Sequence, residues 1–151
     1  MQDRIEQQIV INAPLDRVWD LVTVPGWWVP TAAETEPDRT PGHVTVRESP
    51  RWGRFPVEVV EMRPRSYAAF RWASSAPGAD PGPGNATLVE FFVADAEADA
   101  SEGVTVTVVE SGFATLDVPE ETRQSAFKDN TGGWAEEMDH LRKLAEEPAS
   151  A

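Results

Sequence analysis

Residues 127–145 read FKDNTGGWAEEMDHLRKLA, and within them Phe127, Thr131, Trp134, Met138, Leu141 and then Leu144 or Ala145 recur at steps of three and four. That spacing predicts an α-helix with one buried stripe, leaving Glu136, Glu137, Arg142 and Lys143 for water. Upstream, Pro119 suits the first turn, Glu120 and Glu121 lie where the helix dipole favours acids, and Pro148 closes the run after Glu147. A long helix with a single apolar stripe needs a large apolar partner, which the rest of the chain has to supply.

Working back from the helix, five segments alternate apolar and polar residues as strands do: 43–48, 55–62, 67–73, 87–93 and 104–110. Proline- and glycine-rich or acidic breaks at 49–53, 63–65, 77–85 and 95–103 separate them, so antiparallel hairpins are the economical connection. Residues 4–11 form a further strand candidate that ends at Asn12-Ala13-Pro14. Pro14 is placed as the first residue of a short helix, with Asp16 in its first turn and Leu15, Val18, Trp19 and Val22 on one face. Pro25-Gly26 ends that helix, and Trp27-Trp28-Val29-Pro30 follows as an apolar cluster too short to be a stable helix by itself. Residues 31–42 read as a loop. Strand alternation places Ala68, Phe70 and Trp72 on one face, Thr87, Val89, Phe91 and Val93 on another, and Val104, Val106, Val108 and Glu110 on a third. These are the expected inward sets of an α+β fold in which a curved antiparallel sheet of about six strands wraps the C-terminal helix. One domain is expected over residues 1–147, followed by a disordered tail at 148–151.

Composition removes several function classes. The chain has 151 residues and no cysteine, so thiol nucleophiles, disulfides and cysteine metal sites are excluded. A formal charge of −13 repels phosphate backbones and anionic lipid, which argues against nucleic acid as a partner. The polar N-terminus and the lack of a long apolar run lead to the expectation of a cytoplasmic protein without membrane insertion. Charge is uneven: arginines 39, 47, 51, 54, 63, 65 and 71 cluster against glutamates 48, 58 and 61, whereas residues 94–122 hold eight acids and no base. The arginines are read either as solvent-facing strand positions or as an anion-attracting cavity mouth.

Glu110 is the most informative polar residue, since it shares a strand face with three valines. Inside an apolar cavity its pKa would rise, and it would serve as a proton acceptor or hydrogen-bond anchor; alternatively the strand ends at Val109 and Glu110 sits at the rim, paired with an arginine. Gly132-Gly133 costs a helix about 1 kcal/mol per residue relative to alanine. The pair leaves room for a ligand, permits close approach of the Trp27-Trp28 segment, or reflects plain helix-to-sheet packing. Alternation turns Tyr67 and Arg71 outward, and neither His43 nor His140 has a partner at metal-ligand spacing, so no metal or other cofactor is expected. Trp19, Trp72 and Trp134 belong to expected buried faces, while Trp27, Trp28 and Trp52 fall outside regular elements, as cavity caps, packing or a partner surface.

Four stretches together resemble the START-like (SRPBCC, helix-grip, Bet v 1-like) superfamily, and within it the domains similar to the C-terminal domain of the activator of Hsp90 ATPase. They are Ile11-Asn12-Ala13-Pro14 with Val18-Trp19; Arg63-Pro64-Arg65 leading to Phe70-Arg71-Trp72; Val108-Val109-Glu110-Ser111-Gly112-Phe113; and Gly133-Trp134 with Met138 and Leu141. The resemblance implies two short helices after the first strand and a cavity between the long helix and the concave sheet. It further implies a small, mostly hydrophobic ligand, such as a lipid, polyketide or aromatic metabolite. The expected lining is Trp28, Phe70, Trp72, Val89, Phe91, Val106, Val108, Glu110, Trp134 and Met138. Two other expectations come with it: a cyclase, aromatase or hydratase using Glu110 as acid–base group, and a co-chaperone-like module with a chaperone partner.

Overall fold

A computed structural model describes residues 3–29, 36–50, 53–76, 78–95 and 103–147. Trp52, residues 30–35 of the long loop, 96–102 of the acidic break and the 148–151 tail lie outside them. Strand β1 (Arg4–Ile11) leads into helix α1 (Leu15–Val22). Strands β2 (Val44–Ser49), β3 (Gly53–Arg63), β4 (Tyr67–Trp72), β5 (Thr87–Asp95) and β6 (Val104–Ser111) follow, then a short 3-10 turn at Phe113–Thr115 and helix α2 (Glu120–Glu146). The six strands form one sheet in the order β1-β6-β5-β4-β3-β2, every pair antiparallel. This is the α+β helix-grip architecture expected from the pattern of elements.

Local chemistry sets the boundaries. Pro14 and Pro119 each stand one position before their helix, with extended ψ of 146° and 149°. Proline's fixed φ and missing N–H suit that entry, and each helix begins one residue later than expected. Of the two short helices implied after β1, one forms among the described residues. Residues 24–29 instead make turns, closed by Trp27 N–H to Val24 O (3.0 Å) and Val29 N–H to Gly26 O (2.9 Å). The four residues between Pro25 and Pro30 cannot repay helix nucleation.

The inward strand sets lie where alternation put them. Ala68, Phe70, Trp72, Thr87, Val89, Phe91, Val93, Val104, Val106, Val108 and Glu110 are all buried. The antiparallel register aligns Ile5, Glu110, Val89, Phe70 and Val59 in a row across five strands, so the one acid stands between apolar neighbours. Helix α2 covers this face with Trp134, Met138, Leu141 and Ala145. Its stripe is shorter than the sequence suggests: Thr131 is exposed, Leu144 is 40 % exposed, and Phe127 instead meets Phe113 of the 3-10 turn with ring centroids 5.3 Å apart. Trp19 is only half-buried, because α1 turns Val18 and Val22 inward.

Polar contacts fix the helix lengthwise. Gln7 of β1 donates to the Thr131 carbonyl (2.8 Å), and Arg17 of α1 donates to the Ala145 and Leu144 carbonyls (2.8 and 2.9 Å), satisfying acceptors that the helix end leaves open. Most of the arginine cluster is spent on the fold: Arg39 bonds Thr23, Arg54 the Gly78 carbonyl, Arg65 Asp16 and Arg71 Glu58. Buried Arg47 bonds the Val29 carbonyl (3.1 Å).

The glycine pair is not there for close approach, since a Cβ at Gly132 or Gly133 would meet nothing within 4 Å. Gly132→Ala and Gly133→Ala are therefore each expected to stabilise the chain by about 0.5–1 kcal/mol through helix propensity. Urea unfolding checks this, and a loss of stability on either change would mean that the helix needs its glycines for packing.

Candidate functional site

Among the described residues, the concave face of the sheet holds one titratable side chain under α2, and its environment is specific. Glu110 is 0 % exposed. Its Oε1 accepts hydrogen bonds from Trp134 Nε1 (2.7 Å) and Asn130 Nδ2 (3.1 Å). Its Oε2 accepts from Thr87 Oγ1 (2.5 Å), Trp72 Nε1 (2.9 Å) and, at 3.3 Å, Asn130 Nδ2. The placement follows from register. Thr87 lies two residues before Val89, the β5 neighbour of Glu110, and Trp72 pairs with Thr87 across β4 and β5. Asn130 and Trp134 are four apart on α2, one turn along a single face. Asn130 also reaches Ser74 Oγ (3.1 Å), tying the helix to the residues just after β4.

The rim position paired with an arginine does not occur. No cation is among the groups bonded to Glu110; its described partners are two indoles, a hydroxyl and an amide. Burial pushes the Glu110 carboxyl above its ordinary 4.5, opposed in turn by the hydrogen bonds from Thr87, Trp134, Trp72 and Asn130. The two indole partners can only donate, so the ionised carboxylate suits them best, while the dry surroundings favour the acid. With about four lone-pair sites and five bonds, both oxygens are saturated.

Around this hub stands a cluster of rings. Trp28, 5 % exposed, has its ring centroid 5.5 Å from Trp72, 5.5 Å from Trp134, 5.6 Å from Phe70 and 5.7 Å from Phe91. Trp27 is half-buried against Phe91 (5.6 Å) and Trp134 (6.4 Å). Both are carried by the turns after α1, which Gly26 makes possible. Its φ of +76° disfavours a side chain, and a Cβ there would come within 2.5 Å of Arg47 Cγ. The indole N–H groups of Trp27 and Trp28 are buried and have no acceptor among the described residues.

All ten expected lining residues are buried and belong to the core cluster or, for Glu110, bond to it. Sequence reasoning missed Asn130 and Ser74; the signal available for Asn130 was its position one helical turn before Trp134. Tyr67 faces outward and donates to Glu90 (2.5 Å), with its pKa pushed up by burial and that bond. Glu137, expected to face water, is half-buried, and desolvation raises its carboxyl. An open depression of about 430 Å³ at the β2–β3 hairpin, lined by Glu48, Ser49, Pro50, Gly53 and Arg54, does not include Glu110 in its walls.

The sequence profile of one family, described as Activator of Hsp90 ATPase homolog 1-like protein, matches residues 12–146. No curated protein matches the chain. Among solved structures, it is similar to DynU16, a protein of the dynemicin biosynthetic locus, at 23% identity and a TM-score of 0.68 over 97% of this chain. The match spans 48% of DynU16, so the chain is about half its length. A Bacillus halodurans protein, BH1534, is 22% identical with a TM-score of 0.67, covering 96% of this chain and 100% of that one. The Aha1 dimer of Colwellia psychrerythraea is 14% identical with a TM-score of 0.68, covering 99% and 100%. At these identities the structures establish the shared fold.

Because the folded chain holds the Glu110 proton more tightly than the unfolded chain does, the stability this group contributes is complete below pH 4.5 and is lost as pH rises through the folded value. Glu110→Gln is expected to remove that component. The stability difference between wild type and variant, measured by urea unfolding from pH 4.5 to 8, then shifts steadily against wild type as pH rises; a difference independent of pH would contradict it. Glu110→Ala leaves four donor groups without their acceptor and is expected to cost about 3 kcal/mol or more.

Proposed function

This chain belongs to the Activator of Hsp90 ATPase homolog 1-like family, and we propose that within it the chain is a binding module for a small, mostly hydrophobic molecule. The ligand lies between α2 and the concave sheet face, bounded by Phe70, Val89, Phe91, Val106, Val108 and Met138, with Trp72 and Trp134 supplying aromatic walls and Trp28 packed against both in the free chain. Glu110 fixes the polar edge of the site by holding Trp72 and Trp134 in place. The observation that carries this reading is a fully buried carboxylate with indole partners in an otherwise apolar interior. Such a group is expensive to bury, and a core needing only stability would do as well with an apolar residue there. Few polar groups in an apolar enclosure are the usual make-up of a small-molecule site.

The acid–base alternative, a cyclase, aromatase or hydratase using Glu110, draws on the same burial. The five hydrogen bonds on its two oxygens favour the anchor, since proton abstraction from a substrate first requires one of the donors to leave. The DynU16 likeness supports a small-molecule ligand by analogy of fold. A chaperone-partner role rests on the family description, and no feature of the described surface favours it. The reading includes a cytoplasmic setting; among the described residues, no helix is long and apolar enough to cross a membrane.

A thermal-unfolding panel of fatty acids, polycyclic aromatics and aromatic ketones tests the reading. At a hundredfold excess over Kd a true ligand adds about 2.7 kcal/mol of stability. At least one class is expected to raise Tm in a concentration-dependent way, with backbone NMR shifts centred on Phe91 and Trp134. No Tm response from any class would overturn the binding-module reading.

A further inference from the structure

Building on that reading, we infer that the ligand is a flat bicyclic aromatic molecule bearing a hydrogen-bond acceptor, and that it binds by taking the place of the Trp28 indole in its ring cage. Trp72, Phe70, Phe91 and Trp134 come from the sheet and α2, whose hydrogen-bonded frames hold them. Trp28 comes from a run of turns between Thr23 and Val29, held by a few hydrogen bonds, among them Trp27 N–H to Val24 O, Val29 N–H to Gly26 O and Arg47 Nε to Val29 O. An indole carried into a core by turns is the part of the cage that can leave while the walls stay. The cage therefore already displays the kind of molecule it accommodates, a six-five bicycle between four rings at 5.5–5.7 Å.

The polar inventory supplies the rest of the ligand's chemistry. Four indoles meet here. The N–H groups of Trp72 and Trp134 are satisfied by Glu110, while those of Trp27 and Trp28 are buried with no acceptor among the described residues. Glu110 cannot serve them, because its lone pairs are filled. A ring face is the best a neighbouring aromatic offers, and it is a second-order partner. Buried donors without acceptors are rare and unfavourable, so what the interior lacks is an acceptor. When Trp28 turns out, its N–H meets water. The incoming ring system lies beside Trp27, whose N–H then donates to a carbonyl on the ligand. A cation, which aromatic cages otherwise suit, would face these same N–H groups.

Indole-region ¹⁵N NMR of the full chain, titrated with 1-indanone, indane and indole, tests this, with Trp27→Phe and Trp28→Phe used to assign the two cross-peaks. All three probes share the six-five bicycle, and only indanone carries a carbonyl. Indanone is expected to bind about tenfold more tightly than indane, one hydrogen bond's worth, and indole no better than indane. The Trp28 N–H is expected to gain rapid exchange with water and the Trp27 N–H to move downfield. Trp27→Phe is expected to level indanone with indane while both still bind. Equal binding of indanone and indane in the unaltered chain would overturn the acceptor class and leave the apolar module standing; no response to any of the three probes would overturn this inference, and the module reading is then decided by the thermal-unfolding panel. A Trp28 cross-peak that stays put while ligand binds would overturn the displacement. Should either variant fail to fold, the indanone-to-indane ratio in the unaltered chain decides.

Discussion

A carboxylate that has left water without a cation must be surrounded by donors, and in this chain that requirement falls on Glu110. Its donors come from three elements: Trp72 from β4, Thr87 from β5, and Asn130 with Trp134 from α2. Each of those side chains has to aim at one point. The rotation of α2 about its own axis is thereby set, since residues 130 and 134 face Glu110 only if Met138, Leu141 and Ala145 continue along the same side and meet the sheet. The register of β4 against β5 against β6 is tied to the same point. Helix and sheet thus share a polar pin at one place and an apolar seam everywhere else.

The two kinds of contact do different work. Burial of the valine and phenylalanine rows supplies the bulk of the driving force, roughly in proportion to area. A buried polar hub adds little net stability compared with a well-packed apolar substitute, but when fully satisfied it selects one arrangement among several compact ones. That division explains a core that is apolar at every inward position of β4, β5 and β6 except Thr87 and Glu110. It also explains why tryptophan recurs around them: an indole offers a large apolar surface and one N–H, so Trp72 and Trp134 can be wall and donor at once. Trp27 and Trp28 bring the same surface without an acceptor for the N–H among the described residues, and that contrast points from architecture to ligand.

Much of this was legible in the amino-acid order. Period-two alternation set Thr87, Val89, Phe91 and Val93 inward, and it placed Glu110 on the valine face. It could not say whether that last inward position was covered. The cover comes from Asn130 and Trp134, some twenty residues on, and alternation within a strand carries no information about what packs over its end. Helical spacing found the α2 stripe but left Leu144 and Ala145 open, because both lie within one turn of Leu141; the carbonyls there turn toward Arg17 and the smaller residue goes inside. The Trp27-Trp28 segment has no period to read. Its place in the core depends on the positive φ of Gly26 and on contacts to residues from three other elements, β4, β5 and α2, and only the folded chain brings those together.

The hub itself can be watched directly. With carboxyl carbons labelled, an NMR pH titration reports the Glu110 side-chain resonance together with the indole N–H resonances of Trp72 and Trp134. A buried carboxyl bonded by both indoles titrates above the ordinary 4.5, and the two N–H signals move with the same midpoint. A Glu110 resonance that titrates with the solvent-exposed carboxylates, with both indoles unmoved, would contradict the account.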